Sequence, residues 1–235
     1  MCGIAGTYTN RGIDTQELMD LWESIANRGR HACGFAWHVE EGDKPMSFKS
    51  PGSSTKHSSK LKKIGTQNRW VMMHTRYATQ GSIYDNNNNH PIQVENILFT
   101  HNGVVFNEYD LYDLAKYDSQ YEVDSEAIGA VLARLSVQTL ANYYQGTLSL
   151  VWADLHAPNT LYFYTNGQNP LHFARKLDGS LLWASQYHHL NELPNVVEIF
   201  EATPGILYSI DESMKLTEKI IVDGLSVNHR YGTIY

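Results

Sequence analysis

The second residue of the chain, Cys2, carries a side chain that can act as a nucleophile. If Met1 is removed, which a small second residue permits, Cys2 presents a thiol together with its own α-amine. Thiols and α-amines have ordinary pKa values of about 8.5 and about 7.7–8.0, so the amine can accept the thiol proton. Gly3 and Gly6 allow a substrate to approach the backbone closely. The alternative is a small buried hydrophobic residue, because free cysteines are commonly buried.

A second candidate segment covers residues 74–81 and begins at the end of a predicted buried strand. Arg76 lies where this strand leaves the core, and a guanidinium there can hold a carboxylate through two parallel hydrogen bonds. Thr79 and the backbone near Gly81 can complete such a pocket. The alternative for Arg76 is an ordinary ion pair on the surface.

Two further segments supply hydrogen-bond donors and a carboxylate. His101, Asn102 and Gly103 lie between two apolar runs, and Asn-Gly in that position predicts a hairpin turn. Such a turn can set the Asn102 side-chain amide beside the Gly103 N–H as an oxyanion hole, and the alternative is a plain turn. Asp124 precedes a predicted helix, where it serves either as a helix cap or as a carboxylate for a substrate ammonium.

The elements that must position these residues are predicted from the hydrophobic pattern. Asp14 and Glu17 form a capping box for one helix, and residues 125–140 have helical spacing for another. Strands are predicted over residues 4–8, 34–39, 69–74, 96–100, 104–106, 147–153, 161–164, 171–174, 181–184, 206–210 and around residue 220. Many strands with two separated helices favour a single α+β domain in which helices cover sheet faces.

Composition excludes several classes of protein. With 235 residues, 42% hydrophobic and 18% charged, the chain is globular and not disordered. A net charge of −7 argues against direct nucleic-acid binding. Two cysteines are too few for a disulfide scaffold or a four-cysteine zinc site, and no cofactor or metal is predicted. Without an apolar run of about 18 residues or a signal peptide, we expect a cytoplasmic protein that does not contact membranes.

Taken in order, the motifs resemble the glutaminase domain of the class II glutamine amidotransferases, which are N-terminal nucleophile hydrolases. The resemblance covers essentially the whole chain and is specific through the order and spacing of its motifs. The segments that carry it are residues 1–6, 28–34, 74–81, 90–91, 101–107 and 124–126, with weaker matches at residues 169–171, 184–186 and 203–205.

This resemblance implies a four-layer αββα sandwich over residues 1–235, as a single domain that hydrolyses L-glutamine to glutamate and ammonia through a thioester. The roles it implies are Cys2 as nucleophile with its own α-amine as base, Asn102 and Gly103 as oxyanion hole, Arg76 and Thr79 for the α-carboxylate, Asp124 for the α-ammonium, and His90 in the pocket wall.

Three positions depart from the family pattern. Tyr77 and Gln80 stand where relatives usually have Trp and His, and His31 stands where they usually have Asp. Tyr77 keeps an aromatic ring for packing, and Gln80 can still offer its backbone to a substrate. His31 puts the local support of the nucleophile in question more than the chemistry.

The resemblance also bears on partners. Most relatives fuse this domain to one that uses the ammonia, and the chain has no Gly-x-x-x-x-Gly-Lys phosphate loop. We therefore expect a stand-alone ammonia donor for a separate synthetase partner, with a 7-deazaguanine nitrile or another nucleobase precursor as one possible acceptor. Residues 2–6 and 107–111 resemble the asparagine-synthetase branch, whereas residues 74–76 resemble the glucosamine-phosphate-synthase branch.

Two other hypotheses remain open at this point. One is an N-terminal-cysteine amidase that acts on acyl or bile-acid amides, which needs an apolar pocket in place of the Arg76 and Asp124 pair. The other is a non-catalytic subunit that keeps the fold, in which Met1 would remain attached.

Overall fold

The computed structural model describes residues 1–39, 44–62, 64 and 68–221. The predicted domain of residues 1–235 also includes residues 222–235, which lie outside the described residues. No helix in the described part of the chain has both the length and the apolar character needed to cross a membrane.

The described residues form thirteen strands and five α-helices. The strands are β1 (Gly3–Tyr8), β2 (Ala32–Val39), β3 (Met46–Pro51), β4 (Asn68–Arg76), β5 (Ile92–Val94), β6 (Ile97–Val105), β7 (Gly146–Asp154), β8 (Leu161–Thr165), β9 (His172–Lys176), β10 (Leu181–Ala184), β11 (Val196–Glu201), β12 (Ile206–Ile210) and β13 (Thr217–Ile220). The helices are α1 (Thr15–Ser24), α2 (Ser58–Leu61), α3 (Glu108–Ala115), α4 (Ser125–Arg134) and α5 (Val137–Tyr143).

The strands form two antiparallel sheets. The first has the order β11-β9-β10-β1-β4-β2-β3, and the second has the order β13-β12-β8-β7-β6-β5. One apolar cluster lies between the sheets and joins Ile4 and Trp70 of the first to Leu98 and Val151 of the second. The two sheets therefore pack face to face.

Helices cover the outer face of each sheet. Leu18 and Trp22 of α1 pack in one cluster with Val71 of the first sheet. Ile128 of α4 packs in another cluster with Phe99 of the second sheet. Because both faces of each sheet are covered, central strands such as β1 and β7 are buried along all or most of their length. The predicted four-layer αββα sandwich is confirmed.

The predicted hairpin turn at residues 101–103 is wrong. These residues lie inside β6, a nine-residue strand paired along its whole length with β7. The ladder of cross-strand bonds outweighs the local preference of Asn-Gly for a turn. Gly103 allows close strand packing, because a Cβ at this position would collide with the carbonyl oxygen of Thr147 on β7.

The single helix predicted over residues 125–140 is also wrong, because α4 and α5 are separate. Leu135 leaves helical geometry, with φ −128° and ψ −107°. Ser136 then begins α5 as an N-cap, its hydroxyl accepting from Thr139 N at 3.0 Å. A side chain that caps a helix start competes with continuation of the preceding helix.

Candidate active site

Cys2 lies immediately before β1, the central strand of the first sheet, and beside the end of β4. Tyr77 N–H donates to Cys2 Sγ at 3.3 Å, and Arg28 Nε–H donates to the Cys2 carbonyl at 2.8 Å. Gly3 pairs with Thr75, and a Cβ on Gly3 would lie 2.6 Å from the Thr75 hydroxyl oxygen. Glycine therefore lets β1 approach β4 closely enough to hold the thiol against Tyr77.

The electrostatic surroundings of Cys2 favour the neutral thiol. Burial is the largest influence and raises the pKa of the Cys2 thiol. The hydrogen bond from the Tyr77 amide, the N-terminal ammonium and Arg76 lower this pKa by smaller amounts, and Asp124 raises it. A base must therefore take the proton before this thiol can attack a carbonyl.

Gly103 lies on β6 of the second sheet, and its main-chain amide faces away from β7. Phe106 N–H donates to Gln145 O at 2.8 Å, and amides alternate between the two edges of a strand, so the Gly103 amide points to the other edge. The β7 partner of Gly103 is Leu148, whose amide and carbonyl both bond Asn166 instead. On the other edge of β6, β5 pairs only with residues 97–99. The geometry thus leaves the Gly103 amide available as a donor.

Asn102 supplies a second donor from the neighbouring position. Its side-chain nitrogen is buried and has no hydrogen-bond partner among the described residues. Its main-chain carbonyl accepts from Asn169 Nδ2 at 2.9 Å. Asn169 is fixed in turn, because its carbonyl accepts hydrogen bonds from the hydroxyls of Ser149 and Thr165 at 3.2 and 3.0 Å. An unpaired buried amide is costly unless a ligand satisfies it.

Arg76 ends β4 and is only 4% exposed, which does not fit the alternative of a surface ion pair. Its Nη1 donates to Asn89 Oδ1 at 2.7 Å, and its Nη2 donates to the carbonyls of Gln80 and Gly81. Burial lowers the pKa of Arg76, and the nearby Cys2 and Asp124 raise it. The guanidinium is thus a buried cation whose partners are neutral oxygens.

Asp124 precedes α4, but its side chain makes no capping hydrogen bond to that helix. One carboxylate oxygen, Oδ2, accepts from Val105 N at 2.7 Å. The other, Oδ1, lies 3.3 Å from Ser125 Oγ. Among the described residues Asp124 has no salt bridge within 4.0 Å, so its negative charge is not matched by a direct cationic partner.

Three buried histidines lie behind these groups. The rings of His74 and His90 are 4.2 Å apart between centroids, and His101 is 6.4 Å from His90. Burial lowers the pKa of all three, that of His74 to about 3, so they are neutral near pH 7. Neither ring nitrogen of His90 has a protein partner among the described residues. No group of three or more His, Cys, Asp or Glu side chains in that part of the chain is arranged to hold a metal ion.

The predicted site residues line two adjoining cavities. A small one of about 20 Å³ is lined by Cys2, Arg76, Thr79, His90, Gly103 and Asp124, among others. A second one of about 360 Å³ is lined by Met1, Cys2, Tyr77, Thr79, Asn102, Gly103, Val104, Thr147 and Asn169. The structure therefore brings all seven predicted site residues to the walls of these two cavities. Four residues line both cavities: Cys2, Tyr77, Thr79 and Gly103. A larger cavity of about 500 Å³, beyond Gln80 and Val123, contains neither Cys2 nor Arg76.

His31 supports the loop that follows β4. Its Nδ1 accepts a hydrogen bond from Ala78 N at 2.9 Å, and its ring lies 4.7 Å from the ring of Tyr77. An aspartate at this position can also accept from a main-chain amide, so the ring nitrogen of His31 supplies the same kind of acceptor. This contact answers the question that His31 raised in the sequence.

Several supporting residues were missed by reasoning from the sequence. Arg28, Ser125 and Asn169 lie inside motifs that were recognised, but their partners are 26, 24 and 67 residues away. Asn89 belongs to a run of four asparagines that was interpreted only as a loop. Membership in a recognised motif could have identified Arg28, Ser125 and Asn169. Their hydrogen-bond partners could not be predicted without the fold.

Comparison with known proteins identifies the family of the chain. The model of the family described as class-II glutamine amidotransferases matches residues 6–184, a range that begins after Cys2. A 7-cyano-7-deazaguanine synthase from Sulfolobus acidocaldarius is 24% identical over 92% of this chain and 49% of its own length. A glutamine–fructose-6-phosphate aminotransferase from Bartonella henselae is 26% identical over 75% of this chain and 28% of its own length. The chain thus covers about half or less of the length of each of these relatives.

Solved structures show the same fold. A glutamine phosphoribosylpyrophosphate amidotransferase from B. subtilis superposes with a TM-score of 0.77 at 18% identity, covering 95% of this chain and 50% of that one. A class-II glutamine aminotransferase domain protein from Silicibacter pomeroyi has a TM-score of 0.55 at 18% identity, covering 93% of this chain and 99% of that one.

Proposed function

Because the chain belongs to the class II glutamine amidotransferases, we propose that residues 1–235 act as one domain that hydrolyses L-glutamine to glutamate and ammonia. One observation carries the proposal: Cys2 borders the same cavity as a buried cation, Arg76, and a carboxylate without a direct cationic partner, Asp124. A free amino acid is the substrate that needs one fixed charge of each sign near a nucleophile.

In the proposed complex, the substrate carboxylate binds Arg76 and Thr79, and the substrate ammonium binds Asp124. The carboxylate replaces the carbonyls of Gln80 and Gly81 on the Arg76 guanidinium. A cavity of about 20 Å³ holds roughly one water, so glutamine enters as this segment moves outward. Charge-assisted bonds to a carboxylate are stronger than those to neutral carbonyls, which favours the exchange.

Catalysis begins after removal of Met1. The α-amine of Cys2 takes the thiol proton, and Sγ attacks the γ-carbonyl carbon of glutamine. The oxygen of the tetrahedral intermediate accepts hydrogen bonds from Asn102 Nδ2, which has no partner among the described residues, and from the Gly103 amide. The C–N bond then breaks, ammonia leaves with a proton from the α-ammonium, and water hydrolyses the thioester to glutamate.

The ammonia passes to an acceptor on a separate synthetase partner. Support for a nucleobase precursor as acceptor comes from the 7-cyano-7-deazaguanine synthase relative, which matches 92% of this chain with half of its own length. One glutamine–fructose-6-phosphate aminotransferase relative also matches 93% of this chain, with 36% of its own length.

The proposal is tested by incubating the full chain with L-glutamine and measuring glutamate and ammonia. We expect the two products in equal amounts, no turnover by Cys2→Ala, and an unchanged thermal melting temperature for that variant. Cys33→Ala is the matched control and should stay active, because Cys33 is a buried packing residue at 1% exposure. Turnover by Cys2→Ala, or an inactive chain with and without candidate acceptor proteins, would overturn it.

A further inference from the structure

We propose that the 360 Å³ cavity beside Cys2 is a leaving-group subsite, which enables this chain to cleave γ-glutamyl amides whose nitrogen bears an apolar substituent. The inference rests on the proposed function and extends its substrate class. It would make the chain a γ-glutamyl amide hydrolase in addition to a glutaminase. The cavity is called the leaving-group cavity below.

The position of the leaving-group cavity follows from what the two cavities share. Cys2 and Gly103 line both, whereas Arg76 and Asp124 line only the small one. The charged α-end of a glutamyl substrate therefore occupies the small cavity. In an amide the nitrogen and the rest of the acyl chain lie on opposite sides of the carbonyl carbon. With that carbon at Sγ, the nitrogen points into the leaving-group cavity.

The size of the leaving-group cavity exceeds what ammonia requires. Ammonia is similar in size to water, and a cavity of about 10–15 Å³ is enough for one water. The leaving-group cavity holds about 360 Å³, which is more than twenty times as much. Met1 is part of its wall, so removal of Met1 enlarges it further. The volume of the leaving-group cavity is therefore large enough for a substituent of the size of a benzyl group.

The chemistry of the wall favours an apolar substituent. None of the side chains that line the leaving-group cavity is charged. Val104 and the exposed ring of Tyr77 contribute apolar surface, and Thr79 and Thr147 contribute methyl groups. Asn169 lies there too, but its side-chain nitrogen is already bonded to the Asn102 carbonyl. Apolar walls bind an aromatic group by excluding water.

The chemical step needs no additional reactant. The Cys2 thiolate forms an S–C bond to the γ-carbonyl carbon, and the C–N bond breaks. The amine leaves with a proton from the α-ammonium, and water then hydrolyses the thioester to glutamate and the thiol. Only the identity of the departing amine differs from glutamine hydrolysis.

The test compares three substrates with the full chain: L-glutamine, L-γ-glutamylmethylamide and L-γ-glutamylbenzylamide. Both alkylamides release a primary amine, so their comparison tests the gain from adding the ring, and the variants below separate the fit of the ring from its effect on the leaving amine. We expect kcat/KM for the benzylamide to exceed that for the methylamide by about tenfold, the typical gain from filling an apolar pocket. A benzylamide that is cleaved no faster than the methylamide would overturn the subsite.

A pair of variants locates the effect. Val104→Trp places a large ring inside the leaving-group cavity, whereas Val197→Trp adds the same ring to the exposed strand β11. We expect the ratio of benzylamide to glutamine turnover to fall about tenfold in Val104→Trp and to stay constant in Val197→Trp. An unchanged ratio in Val104→Trp would contradict the assignment. If glutamine itself is not hydrolysed, the proposed function is wrong. If glutamine is hydrolysed and the benzylamide is not, only this inference is wrong.

Discussion

The hydrogen bond donated by Ser125 decides whether a carboxylate oxygen of Asp124 is available to a ligand. Ser125 Oγ lies 2.9 Å from His101 Nδ1 and 3.3 Å from Asp124 Oδ1, and its one proton can serve only one of them. His101 Nε2 faces the carbonyl oxygen of Thr147 at 3.3 Å, which assigns the ring proton to Nε2. His101 Nδ1 is then an acceptor, so Ser125 donates to it. In the proposed complex, Asp124 Oδ1 is then available to the substrate ammonium.

This assignment predicts a positioning role for Ser125. Ser125→Ala leaves the buried His101 Nδ1 without a donor and lets the ring turn toward Asp124. Loss of such a bond is worth about 1–3 kcal/mol, so we expect kcat/KM for glutamine to fall about tenfold or more.

The effect should appear mainly as a raised KM in saturation kinetics, because the ammonium contact is made in the ground state as well. Ser125→Thr keeps the hydroxyl and serves as the matched control, with nearly normal KM. An equal loss in both variants, or a fall in kcat alone, would argue against this role.

At the level of elements, the site depends on where strands of the two sheets meet. β4 brings His74 and Arg76 from the first sheet, and β6 brings His101, Asn102 and Gly103 from the second. His74 Nε2 lies 3.0 Å from the His101 carbonyl, so the contact spans the space between the sheets. Changes that weaken this contact act on the fold and on the site together.

The histidines between the sheets predict how stability depends on pH. Burial lowers the pKa of His74 to about 3 and lowers those of His90 and His101 as well. Below the ordinary histidine pKa of about 6.5, the unfolded chain binds protons that the folded chain does not. The free energy of unfolding should therefore fall as the pH drops from about 6.5 toward about 3, with a slope of up to about 1.4 kcal/mol per unit for each histidine.

Urea unfolding at several pH values measures this slope. His74→Gln keeps a donor for the His101 carbonyl but removes the titrating ring, so the slope below pH 6.5 should become shallower. His156→Gln changes an exposed histidine and should leave the slope nearly as it was. A slope in His74→Gln that equals the unmodified chain's would show that His74 does not contribute.

Element boundaries divide into those that local pattern predicts and those that it does not. Apolar runs such as residues 69–74 predicted β4, because both faces of that strand are buried. The Asn102-Gly103 pair misled the prediction for β6, since pairing with β7 is a long-range effect. Several elements were not predicted, among them α3 and β11. Half of the residues of β11 are exposed, so its hydrophobic pattern is weak.

Across the whole molecule, the candidate site lies where the two sheets face each other. Cys2 and Arg76 come from the first sheet, Asn102 and Gly103 from the second, and Asp124 from the start of the helix layer beyond it. The motifs predicted which residues lie together at the candidate site, since their order and spacing along the chain resemble one family. Their mutual distances could not be predicted, because contacts such as Asn102 to Asn169 join strands far apart in sequence.

The central claim is that Cys2 becomes an N-terminal nucleophile directed at glutamine. An intact mass of the full chain, taken before and after treatment with a diazo-ketone analogue of glutamine, tests it most directly. The account predicts a starting mass that lacks Met1 and a gain of one analogue per chain, mapped to Cys2 and absent from Cys33, whose pKa burial raises to about 12. A chain that retains Met1, or a label on any residue other than Cys2, would contradict it.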